Sequence, residues 1–357
     1  MEVRARLAGP GVALGLIATM LAAAPAFAQG RHPYQLLSRN SAGAIPNAPA
    51  FDPAISQDGR IDRYAAYSSF ATDIVAGSGP HDNIFLVKRR RPWGRNGTPW
   101  RRGATVLISR GLGGAPANGD SVDPSFSGDD HHGARCLAFV SDASNLVRGD
   151  RNGHADVFVK RLPSGALHRI ATPGPAQAVS VDGACHTLAF SADGVVYTHR
   201  ALGGGRSHRV SSGRGAVNVD ISVNGHFVVY DRNGYIYRDR HLITAGQDPS
   251  ADGFGRYVAF WLNNGIYRAN QTGAPHVQRV RQTGGGRASG ASPSMTTGGS
   301  FIFYADGPFV RLNTYGTTMG ECRGGLTVKQ VQGSPHGNYD VFSCAGGAAY
   351  LDYIGGK

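Results

Sequence analysis

Apolar residues fall in short runs through most of the chain, each bounded by Gly, Asn, Asp or Ser. A run of three to five is the length of a buried strand, not of a helix. The fullest surrounding unit spans 123–173. It opens on Asp-Pro-Ser-Phe-Ser, passes a polar turn to Cys136, Leu137, Ala138, Phe139 and Val140, and continues through a Gly-rich loop to Asp156, Val157, Phe158 and Val159. A Pro163-Ser164-Gly165 turn then leads to Leu167 and Ile170. The unit predicts four short antiparallel strands, a to d, joined by hairpins. Such a sheet has two apolar faces and no helix to cover them, so it must stack against copies of itself.

Strand b recurs from Tyr64, Leu137, Leu188, Val228, Val258, Ile302 and Tyr339, and strand c from Ile84, Val157, Val196, Ile236, Ile266, Phe309 and Tyr350. Between them, Asp193-Gly194, Asn233-Gly234, Asn264-Gly265 and Asp306-Gly307 are expected to make type I′ hairpins, which need positive φ. Strand d is expected at 105–110, 167–170, 208–211, 241–244, 277–281 and 326–331. The seventh b–c pair has no d strand after it, while 34–39 is a d-like strand with no a, b or c before it. An all-β, seven-bladed β-propeller of four-stranded antiparallel blades accounts for both, with six blades as the alternative. In it, 34–39 completes the last blade, closes the ring and hides both sheet edges. Each unit then holds about 47 residues, within the range of propeller blades.

The segments 53–60 (Pro-Ala-Ile-Ser-Gln-Asp-Gly-Arg), 137–141 (Leu-Ala-Phe-Val-Ser) and 149–159 (Gly-Asp-Arg-Asn-Gly-His-Ala-Asp-Val-Phe-Val) carry a resemblance. They are similar to the WD40-like propeller repeat of TolB-type periplasmic proteins. The resemblance covers nearly all the chain after residue 28 and implies blade architecture. Its shared residues build turns and cores, so a function must be argued from particular side chains.

Arg4 and Arg6, an apolar run over 12–24 and Ala26-Phe27-Ala28 read as a signal peptide over 1–28, leaving 29–357 as a single β-propeller domain. A periplasmic or extracellular location follows. No later stretch is apolar for 18 residues, so no transmembrane span is expected. Four cysteines in an exported chain allow three pairings. Cys136 and Cys185 both sit early in strand b of neighbouring units and are expected to pair. Cys322 with Cys344 follows by elimination, although Cys322 in a c–d connection needs a long loop to fold back.

The net charge of +12 attracts anions. Its densest stretch is the c–d insertion of the first unit: Lys88, Arg89, Arg90, Arg91, Trp93 and Arg95, then Trp100, Arg101 and Arg102. Cations interleaved with indoles hold anionic polymers by charge and stacking. Outside the cytoplasm this points to an acidic glycan, a phosphate-bearing envelope polymer or lipid headgroups rather than nucleic acid. A solvated hairpin tip whose tryptophans pack on the blade edge uses the same residues. Asp150, Asn152 and Asp156 place oxygen ligands at alternate positions, as a calcium loop does, but lack the later bidentate Glu. Asx side chains bonded to their own turn explain them equally. No other cofactor is expected.

Asp129, Asp130, His131 and His132 read as a solvated turn, since four consecutive residues cannot all face one ion. There is no G-x-S-x-G, no H-E-x-x-H and no Cys–His signature. The chain is therefore expected to be a monomeric, non-enzymatic binding scaffold for a protein or an anionic envelope or extracellular polymer. The alternative is a propeller enzyme, a polysaccharide lyase or glycosidase, with its site at the channel mouth. His, Asp, Glu or Gln side chains converging there favour the enzyme, and a mouth lined by Gly, Ser and apolar residues favours the scaffold.

Overall fold

Each apolar run expected as strand b or c is a strand in the computed structural model, which describes residues 34–59, 61–93, 99–281, 287–313 and 318–353. The expected signal peptide and Arg95 lie outside the described residues. The strands form seven four-stranded antiparallel sheets, so the ring has seven blades and not six. Blade one comprises β2 (Ala50–Ile55), β3 (Tyr64–Ser69), β4 (Asn83–Arg89) and β5 (Arg102–Leu107). Blade two comprises β6 (Ser121–Phe126), β7 (Cys136–Ser141), β8 (Asp156–Arg161) and β9 (Leu167–Ile170). Blade three follows with β10 (Ala176–Val181), β11 (Thr187–Ala192), β12 (Val195–Arg200) and β13 (His208–Arg209). Blade four is β14 (Ala216–Ile221), β15 (Val228–Arg232), β16 (Tyr235–Arg238) and β17 (His241–Ala245). Blade five is β18 (Gln247–Ala251), β19 (Tyr257–Leu262), β20 (Gly265–Asn270) and β21 (Val277–Arg279), and blade six β22 (Ala291–Met295), β23 (Ile302–Asp306), β24 (Phe309–Leu312) and β25 (Thr318–Glu321).

Blade seven shows the expected closure. Its strands β26 (Val328–Gly333), β27 (Tyr339–Cys344) and β28 (Ala349–Tyr353) are completed on the outside by β1 (Gln35–Leu36), with Gln35 opposite Leu351 and Leu36 opposite Tyr350. The backbone N–H groups of Leu37 and Ser38 extend the join to the Ala349 carbonyl.

The period of two along each strand decides the packing. Leu137 and Phe139 face blade one, whereas Cys136, Ala138 and Val140 face blade three. Repeated round the ring, this gives seven apolar clusters, each shared by two adjacent blades. In six blades a cross-strand aromatic pair joins b to c, as in Phe139 on Phe158 at 5.6 Å and Tyr230 on Tyr237 at 5.4 Å. Blade six places Tyr304 opposite Arg311 instead.

Three local expectations shift. The segment 326–331 is not strand d of blade six, because Val328–Gly333 is the inner strand of blade seven and Thr318–Glu321 supplies the missing d strand. Cys322 therefore follows directly on the outermost strand of blade six and needs no long loop. It pairs with Cys344 at a Cα separation of 5.7 Å, and Cys136 pairs with Cys185 at 6.1 Å as expected. Two hairpins move by one residue. Leu262 pairs with Gly265, so Asn263 and Asn264 take the positive φ of 49° and 56°. Asp306 pairs with Phe309, so Gly307 (φ 58°) and Pro308 form that turn.

Candidate functional site

The basic insertion of blade one is the hairpin between β4 and β5, and the structure divides its side chains in two. Arg89 continues the inward face of Phe85 and Val87 and is only 5% exposed. Its guanidinium donates to the Ile61 carbonyl and, at 3.1 Å, to the Tyr339 hydroxyl of blade seven. Trp100 is fully buried in the cluster shared by blades one and seven, and its Nε1 donates to the Asp62 carbonyl at 2.6 Å. The Trp100 carbonyl accepts from Gln35, and Arg102 Nε donates to the Leu37 carbonyl at 3.2 Å. Trp100 and Arg102 thus fasten the closing strand, and Arg89 the seam with β27 of blade seven, rather than standing out to meet a ligand.

Lys88 is half-buried, while Arg90, Arg91 and Arg101 are exposed and have no carboxylate partner among the described residues. The Trp93 ring lies 4.3 Å from the Arg91 guanidinium and 4.9 Å from that of Arg63. The described part of the hairpin thus presents exposed cations, with Arg91 and Arg63 on the Trp93 indole.

The channel is lined by carboxyl groups instead, which the sequence reading did not find. In four blades the inner strand carries near its start Asp52-Pro53, Asp123-Pro124, Asp248-Pro249 or Ser292-Pro293, and the residue before proline has φ between 47° and 55°. Each lies where the pairing with strand b shifts register, a bulge that re-aims its side chain. With Asn218, Asp220 and Gln330 they line a hollow of about 210 Å³. It shares wall residues with a narrower hollow of about 80 Å³ farther along the channel.

Most of these groups hold neighbouring blades together. Ser125 Oγ accepts the Val181 N–H at 3.2 Å, Ser180 Oγ the Ile221 N–H at 3.2 Å, and Asp220 Oδ2 the Ala251 N–H at 2.9 Å. Ser250, Ser294 and Gln332 do the same for Met295, Gly333 and Ile55 at 3.0, 3.1 and 2.6 Å. Ala54 has no acceptor at this position, and between blades one and two Asp52 Oδ2 instead accepts the Asp123 N–H at 3.3 Å. Asp123 accepts the Val179 N–H at 2.6 Å, and Gln330 bonds Asp52 in both directions.

Burial, and secondarily the Asp52 carboxylate, pushes Asp123 up to about 7. The same two causes, in the same order, bring Asp82 up to about 7, and burial with Asp231 brings Asp248 up to about 6. One Ser68 hydroxyl lies 3.3 Å from Asp52 and 3.4 Å from Asp82, so its single proton serves only one of them at a time.

Asp150, Asn152 and Asp156 are brought together. Arg169 bridges the two carboxylates at 3.0 and 2.6 Å, Asn152 Nδ2 donates to Asp156, and the Thr172 backbone N–H and hydroxyl bond the same carboxylate. A guanidinium already occupies the space between the two carboxylates and offsets one of their charges, so a calcium ion here would have to displace it. In the polar turn, the Asp129 carboxylate accepts the His131 N–H at 2.7 Å and contacts the His132 ring, while Asp130 reaches His336 of blade seven. The four residues do not converge. Among the described residues no group of three or more His, Cys, Asp or Glu side chains has metal-holding geometry, and no helix is long and apolar enough to cross a membrane.

No protein-family model matches the chain, and no curated protein does. Among solved structures it is similar to the β-propeller domain of Cps50 (Swd1) from Myceliophteria thermophila. That likeness covers 90% of this chain and 100% of that one, with a TM-score of 0.56 and 8% sequence identity. Identity at that level speaks to the fold alone. The chain is a seven-bladed β-propeller of four-stranded antiparallel blades.

Proposed function

We propose that the protein is a non-catalytic scaffold, exported and TolB-like in setting, that holds an anionic polymer on its outer surface. The observation that supports this reading is the separation of residue types: carboxyl groups gather on the inner strands, while Arg90, Arg91 and Arg101 stand exposed on the blade-one hairpin with no carboxylate partner among the described residues. An anionic partner is drawn to the hairpin, where the Trp93 indole adds a stacking face. The triple change Arg90→Ser, Arg91→Ser and Arg101→Ser avoids the buried Arg89. It is expected to lower the salt concentration that elutes the protein from a sulfated or polyuronate matrix. Elution at the parent's salt concentration would count against the hairpin.

A second reading, a polysaccharide lyase or glycosidase, draws on Asp52 and Asp123 at the channel mouth, where Asp123 is pushed up to about 7 and is suited to proton transfer. It requires chain cleavage of an offered polysaccharide that Asp123→Asn abolishes.

A further inference from the structure

Away from the hairpin and the channel, a cavity of about 720 Å³ opens between blades five and six. Its wall includes Tyr267 and Arg268 on β20, Gln278 and Arg279 on β21, and Arg281 and Arg287, whose backbones pair in an isolated antiparallel bridge. The Tyr267 ring is held from behind by Phe260, stacked at 5.8 Å.

What the four guanidiniums bond is as informative as their number. Elsewhere Arg63, Arg169, Arg214, Arg238, Arg256 and Arg311 each reach a carboxylate. Among the described residues none of the four in this cavity does. Arg279 Nε donates to the Ala288 carbonyl at 3.2 Å and Arg268 Nη1 to the Gly299 carbonyl at 3.4 Å, both neutral, and Arg268 also lies 4.7 Å from the Tyr257 ring. Arg281 and Arg287 are exposed and their side chains make no hydrogen bond to described residues. Four like charges lining one hollow repel each other until an anion enters. Their planar forks match the oxygens of phosphate and sulfate groups two at a time. The volume falls in the range of small-molecule sites.

The geometry points to a binding site for a small ligand bearing two or more phosphate or sulfate groups, seated between blades five and six with its oxyanions on Arg279, Arg281 and Arg287. The site stands on different blades from the hairpin and is independent of it. Such oxyanions come from phosphorylated small molecules or from sulfated sugar units, and two probes separate these sources.

Titration calorimetry of the full chain with tripolyphosphate and with a sulfated heparin tetrasaccharide is expected to give saturable one-to-one binding of at least one probe. The double variant Arg281→Ser with Arg287→Ser should weaken it about tenfold or more at an unchanged melting temperature. Arg279→Lys, which keeps charge but loses the fork, should also weaken it. The triple hairpin variant should bind tripolyphosphate as the parent does. On the unaltered protein, the bound probe should shield Arg281 and Arg287 from phenylglyoxal. Lack of saturable binding to either probe, parent-like affinity in the double variant, or equal labelling with and without probe overturns the site. Loss of binding in the hairpin variant alone would overturn it while supporting the hairpin.

Discussion

Phe139 is fully buried and stacked on Phe158, with the Leu137 and Phe126 side chains in the same cluster. Phe139→Ala is expected to cost about 3–5 kcal/mol, read as a lower urea midpoint at an unchanged slope. A midpoint within error of the parent would show that the ring is not packed as described. Such core residues were legible because burial follows from hydrophobicity and alternation together. The two roles within the blade-one insertion were not. Arg89 and Arg90 are identical in the sequence, yet one lies in an interior bonded to Tyr339 and the other in solvent. Parity was the available signal: Arg89 stands two and four positions beyond Val87 and Phe85, on the face that packs inward. Trp100 gave no such signal, because its burial depends on the closing strand and on blade seven, far away in sequence.

Strands b and c were readable as elements because each is an apolar run with a partner of the same kind. Inner and outer strands were less so. Thr318–Glu321 carries little apolar alternation, whereas the neighbouring 326–331 carries more and drew the assignment to itself. The recurring Asp-Pro and Ser-Pro dipeptides at the start of four inner strands were a usable signal for the channel. A residue before proline is turned from the helical region, and Asp tolerates positive φ.

Those inner strands, together with Asp82 just ahead of β4, also set a pH dependence. Asp82 and Asp123, at about 7, and Asp248, at about 6, titrate in the folded chain well above their ordinary value of 3.8. Between those values the folded state binds more protons than the unfolded chain. Their contribution to stability is therefore fully present below about pH 4 and is lost as pH rises to about 7. The melting temperature should fall between about pH 5 and pH 8, and Asp123→Asn should flatten that fall. A melting temperature in the parent that climbs over this range would contradict the assignment.

For the whole molecule, seven similar contacts arranged in a circle make each blade depend on two neighbours. The two disulfides each tie adjacent blades: Cys136–Cys185 joins two to three and Cys322–Cys344 joins six to seven. Replacing Cys136 and Cys185 together by Ser should lower stability by roughly 2–4 kcal/mol. A thermal scan with one unchanged transition would show that the seam between blades two and three is held by packing alone. Blade count and closure were visible in the sequence because a missing outer strand at one end matched a spare one at the other. The charge distribution was not, since it depends on which strand turns toward the axis.

The join between β1 and β28 also fixes an order of events in biosynthesis. The β1 segment is made before every other strand described and waits, unpaired, until β28 has been synthesised before it finds its partner. A product that stops short of β28 therefore leaves β27 with a free edge and β1 without a partner, and removes Ala349, Leu351 and Tyr353 from the cluster that buries Trp100. Prematurely terminated chains are thus expected to be substrates for quality-control proteases, whatever share of their blades has already formed.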